Sequence, residues 1–147
     1  MYTLAAEAHL RLEEFEEARR YADLAVKADP TLPGVNTLSG LVREYSGDLE
    51  GAQEAFRRAI AQKPDDFEAH LRLGSVLYQL RKLDEAQRQL ELALQIDPTS
   101  SYSRFELVKV QSAQGQTQAA LKNLEAVAQA IPEWSPPTWS SRHSTLS

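Results

Sequence analysis

Apolar and polar positions divide residues 67–98 into two amphipathic stretches. His70, Leu73, Gly74, Leu77 and Leu80 recur three or four residues apart, which places them on one face of a helix. The mostly polar run "RKLDE" interrupts that face, and Ala86, Leu90, Ala93, Leu94 and Ile96 form a second stripe. Pro98 ends the second stripe, because proline lacks an N–H and clashes with the preceding turn. Asp84 is expected to cap the second helix, and Thr99, Ser100 or Ser101 the helix that follows.

The same pattern runs along the chain. Pro30, Pro64, Pro98 and Pro132 stand 34 residues apart. Other registers repeat with them: Ala18, Ala52, Ala86 and Ala120; Ala25, Ala59, Ala93 and Val127; Ala22, Phe56, Leu90 and Leu124; Ala6, Gly40, Gly74 and Val108. A fixed period of this length is the signature of a repeat architecture in which each unit buries its apolar face on its neighbour. The small residues mark where two helices cross and their backbones approach. The spacing predicts helices near 1–12, 16–29, 34–46, 50–63, 67–80, 84–97, 101–114 and 118–131. By register the units are 1–32, 33–66, 67–100 and 101–134, so the array covers about 1–132. Residues 133–147, "EWSPPTWSSRHSTLS", abandon the pattern and are expected to form a Pro/Ser-rich, disordered tail.

The segment "HLRLGSVLYQLRKLDEAQRQLELALQIDP" resembles a tetratricopeptide repeat. Leu73, Gly74, Ala86, Leu90, Ala93 and Pro98 match that family's pattern, and His70 stands where the family often has Trp. The fourth unit departs most, with Val108 in the small register and Gln111 at a usually apolar one. The resemblance implies an all-α superhelical solenoid of helix-turn-helix units. It also implies that a second stripe on each unit's first helix lines a concave groove for a peptide or helix of another protein. In the second unit this stripe is Thr37, Leu41 and Glu44, with Tyr45 beside it. In the third it is Glu68, Leu71, Ser75, Tyr78 and Gln79, and in the fourth Tyr102, Phe105 and Lys109. Aromatic and aliphatic side chains with few charges suit recognition by apolar anchors. The same tyrosines could instead pack against the next helix.

Chaperone adaptors in this family grip a terminal carboxylate with Lys, Arg and Asn. The matching residues here are Thr3, Glu7, Leu38, Glu68 and Arg72 or, one unit on, Thr37, Leu41, Arg72, Tyr102 and Glu106. Neither set chelates a carboxylate.

Composition narrows the rest. The net charge of −5 at pH 7 argues against nucleic acid, whose phosphates require clustered bases. The absence of cysteine excludes disulfides and thiol chemistry. No apolar run is long enough to span a membrane and the N-terminus does not read as a signal peptide, so a cytoplasmic location is the default expectation. His9 and His70 are expected to be packed core residues, and "EEFEE" a solvated turn with Phe15 inward. No phosphate-binding, dinucleotide, nucleophile-elbow or zinc motif occurs, so neither cofactor, metal nor catalysis is expected. Leu121, Leu124, Ala128 and Ile131 would face water unless Trp134 covers them, so the chain is expected to self-associate through its last helix, to fray there, or to be part of a longer array. Two functions fit this sequence. One is a non-catalytic scaffold or adaptor that binds a partner segment, and the other is a structural segment of a longer repeat protein with no free peptide ligand.

Overall fold

A computed structural model describes residues 1–130, and the expectations for the tail, Trp134, Ile131 and Pro132 lie outside them. Eight helices follow in order: α1 Tyr2–Arg11, α2 Phe15–Ala28, α3 Val35–Tyr45, α4 Leu49–Gln62, α5 Phe67–Gln79, α6 Leu83–Ile96, α7 Ser101–Ala113 and α8 Thr117–Ala130. No strand occurs among the described residues. Every predicted helix end falls within one residue of its observed position.

The turns inside the four helix pairs share one backbone solution. Glu13, Gly47, Arg81 and Gly115 stand one period apart, and all have positive φ, from 60° to 89°. Glycine takes that conformation freely, whereas Glu13 and Arg81 carry a Cβ into it at a cost of roughly 1 kcal/mol each. The turns between pairs use side chains. Asp29 Oδ1 accepts from the backbone N–H and hydroxyl of Thr31, and Asp97 Oδ1 accepts from the same groups of Thr99. A polar latch ties the carbonyls of Pro30, Pro64 and Pro98 to the next helix. Asn36 Nδ2 donates to Pro30 O (3.4 Å), His70 Nε2 to Pro64 O (2.7 Å) and Arg104 Nη2 to Pro98 O (3.0 Å).

Asp48, Asp66 and Ser100 cap α4, α5 and α7, each accepting the backbone N–H three residues on. Asp84 does not cap α6. The cap residue is Lys82, and Asp84 lies in the first turn with Glu85, where the helix dipole favours acids.

The core lies between the helices of each pair and between successive pairs. Phe56, Leu73, Leu77, Leu90 and Val110 are fully buried. Gly40 faces Phe56, and Gly74 faces Leu90, so closely that a side chain at either glycine would enter its partner's volume. A smaller cluster of Ala6, Ala18, Ala22, Leu38 and Val42 joins the first pair to the second. Phe15 is half-buried, and so is His9, which pairs with Glu14 (2.7 Å) and stacks on the Tyr21 ring rather than entering the core. His70 is in the core as expected, with Nδ1 2.7 Å from the Gln89 amide.

Each helix packs on its neighbours in sequence. Beyond that, α1 meets α3, α3 meets α5, and α5 meets α7, whereas the backbones of α2, α4, α6 and α8 stand further apart, and Arg57 of α4 reaches Glu85 of α6 (2.8 Å) only through its side chain. The first helices of the pairs are thus drawn together and the second helices splay, which curves the solenoid with α1, α3, α5 and α7 on its inner side.

Candidate partner-binding groove

The inner wall starts at an open cleft over α1 and α3, lined by Glu7, Leu10, Arg11, Thr37, Leu41 and Asp66. Asp66 closes its far side. Its Oδ1 caps α5, and its Oδ2 accepts from the Thr37 hydroxyl (3.3 Å). Thr37 and Leu41 are half-buried, and Leu41 packs on the central core cluster.

Further along, the expected stripe divides by burial. Tyr45, Tyr102 and Phe105 are 52%, 51% and 46% exposed, and Gln79 is exposed as well. Glu44, Glu68, Ser75 and Lys109 are half-buried. Leu71 does not belong to the surface. It is a buried member of the central core, because α5 has a first helix on either side, α3 and α7, whereas Phe105, in the same register, lies on α7, which meets only α5 among them. Tyr78 packs its ring on the same core and presents one face to Lys109, whose ammonium lies 5.4 Å from the ring centroid.

The wall is also more highly charged than expected. Arg72 Nε donates to Glu68 Oε1 (2.9 Å), and Lys109 Nζ to Glu106 Oε1 (2.7 Å). Glu106 itself is buried at 4% exposure. Glu44 stands among these groups, yet its Oε1 is shut off from solvent and accepts no hydrogen bond. Burial pushes the Glu44 carboxyl up from its ordinary value; Arg72 pulls it down, while Glu106 and Glu68 push it further up. Burial would lower Arg72, but the hydrogen bond and charge of Glu68, with Tyr45 and Glu44 beside it, hold it above its ordinary value. Arg72 and Glu106 occupy one register, 34 residues apart, with Leu38 one unit earlier. The sequence places them on the inner helices but does not reveal that α5 and α7 bury their charges together.

No group of three or more His, Cys, Asp or Glu converges to hold a metal among the described residues. No described helix is long and apolar enough to cross a membrane.

This geometry is widely shared. Profiles of the family described as "Tetratricopeptide repeat" match residues 37–101 and 1–32. Human tetratricopeptide repeat protein 7B is 28% identical over 134 residues, covering 87% of this chain. Human tetratricopeptide repeat protein 7A is 30% identical over 117 residues, covering 80%. The chain spans only 16% and 14% of those relatives' lengths. Among solved structures, MamA 41-end from Desulfovibrio magneticus RS-1 superimposes with a TM-score of 0.84 at 22% identity, over 90% of this chain and 75% of that one. The first TPR of Spaghetti, bound to an HSP90 peptide, gives a TM-score of 0.76 at 22% identity, over 78% of this chain and 90% of that one. The 34-residue period, the paired helices and these matches together establish that the chain belongs to the tetratricopeptide repeat family.

Proposed function

We propose that this chain is a non-catalytic scaffold or adaptor module that holds a peptide or helix of another protein against its concave wall. The observation that carries this reading is the exposure of Tyr45, Tyr102 and Phe105 on the inner helices, where the repeat's own core does not use them. Large rings held half in water on a rigid frame are efficient binding anchors, because they bring area at little cost in conformational freedom. A solved relative of the same fold is bound to an HSP90 peptide, which lends general support to a peptide-holding groove. The ligand differs from a terminal carboxylate. Arg72 and Lys109, the cations of the α5–α7 wall, are each engaged by a glutamate, and Glu44 would repel an incoming anion.

The test is selection of a random displayed peptide library on the chain, followed by titration of the selected peptides against the parent and Tyr102→Ala/Phe105→Ala. Micromolar peptides weakened by the double substitution support the groove. Peptides indifferent to it would place recognition elsewhere.

A second reading, a structural segment within a longer array, is favoured by the short share of the curated relatives that the chain spans and by one face of α8. There Leu121 is 48% exposed, with Leu124 and Ala128 half-buried beside it. Self-association through this face would show as concentration-dependent light scattering that Leu121→Glu removes.

A further inference from the structure

Arg72 of α5 and Lys109 of α7 are both spoken for, but a carboxylate of α3 beside them is not. Arg72 is paired with Glu68 and Lys109 with Glu106, while Glu44 makes no ion pair within 4.0 Å among the described residues and leaves Oε1 without a donor. A carboxylate with one oxygen removed from water and without a hydrogen bond is costly to hold as an anion, and a cation that meets the half-buried carboxylate from the groove side relieves that cost. The adjacent Tyr45 is half exposed, so an apolar and cation-attracting ring flanks the unpaired group. The wall already shows the chemistry it favours one unit on, where the Lys109 ammonium is held between the Tyr78 ring and the buried Glu106 carboxylate.

We propose that the groove selects a partner segment carrying a lysine or arginine beside an apolar side chain, with the cation seated at Glu44 and Tyr45 and the apolar side chain on Tyr102 and Phe105. This rests on the groove reading above and narrows it to one ligand chemistry. Charge complementarity commits the choice. Glu44, Glu68 and Glu106 face the single guanidinium of Arg72 and the ammonium of Lys109, so the empty groove carries an excess of negative charge that a basic segment would neutralise.

The experiment uses the whole chain and the displayed-peptide selection already described. Selected peptides should be enriched in Lys or Arg next to Leu, Phe, Tyr or Trp. A synthetic peptide from that pool should bind Glu44→Gln about tenfold more weakly than the parent, the size expected for loss of one charge-assisted hydrogen bond. The same peptide with its cation replaced by Gln should bind parent and Glu44→Gln alike, because the coupled pair is already broken. Acidic or neutral peptides that lose affinity to Tyr102→Ala/Phe105→Ala but not to Glu44→Gln would overturn this inference and leave the groove standing. Peptides insensitive to the aromatic double substitution would overturn both. Unfolding of Glu44→Gln would be visible in its melt, in which case Tyr45→Ala, at an exposed ring, must produce the same selective loss of the cationic peptide.

Discussion

Gly74 lies under Leu90 at so short a range that a β-carbon on Gly74 would stand 2.6 Å from Leu90 Cγ. The pair joins α5 to α6 and sets how closely their backbones cross. Gly40 and Phe56 do the same for α3 and α4, with a β-carbon 2.5 Å from the Phe56 ring. Gly74→Leu should therefore lose roughly 1–3 kcal/mol by overpacking. Shortening the partner should reverse the sign for a small addition. In a Leu90→Ala background, Gly74→Ala should raise stability by about 1 kcal/mol, through helix propensity and partial filling of the cavity. Urea melts of the single and double variants decide the matter, and an unchanged midpoint for Gly74→Leu would contradict the crossing.

Arg81 carries a φ of 64° in the turn between α5 and α6, where the matching turns at 47 and 115 use glycine. Arg81→Gly should relieve that strain and stabilise the chain by about 0.5–1 kcal/mol despite the freer unfolded state. Arg81→Val should cost at least as much, since a β-branched residue tolerates positive φ least. Thermal melts of the two variants should move in opposite directions.

The helix bounds were legible because the period offers four readings of every boundary. The same logic explains the misassigned cap of α6. Glu14, Asp48 and Lys82 occupy one register, and each stands at the cap of the second helix of its pair, though only Asp48 offers its side chain to the helix. Packing of the pair, not the local acceptor, sets where the helix starts, so Asp84 was passed over. The groove was less legible. Its residues fall on the inner helices, but Leu71 and Phe105 share one register 34 residues apart, and only their place in the stack decides which is covered.

That division gives a prediction for stability. Tyr102→Ala with Phe105→Ala should shift the melt little, because half-exposed rings make few core contacts. Leu71→Ala should lose about 2–5 kcal/mol, as a buried leucine does, and Tyr78→Ala an intermediate amount. Binding loss in the aromatic pair with an intact melt separates recognition from folding.

Glu44 gives a pH signature. Its carboxyl ordinarily titrates near 4.5 and is held higher in the folded chain, chiefly by burial. The folded chain therefore retains a proton that the unfolded chain has released. Stability from this group is full below the unfolded value and is lost as pH rises through the folded one. Glu44→Gln should therefore melt above the parent at pH 7. The two melts should converge below about pH 4. A Glu44→Gln melt lower than the parent at neutral pH would mean that attraction to Arg72 outweighs burial.

Because each helix touches only helices within two places of it in the chain, the molecule can assemble in the order in which it is made. Among the described residues no helix waits for a partner more than two places away, so loop-closure entropy stays small at every step. A ribosome adding about 5–20 residues per second releases one 34-residue unit every few seconds, whereas a helix pair closes in about microseconds to milliseconds. Each pair therefore forms long before its successor arrives. During that interval it presents to the cell the apolar face that the next pair will cover, and a nascent-chain chaperone would meet the same kind of surface once per repeat, at intervals timed by translation.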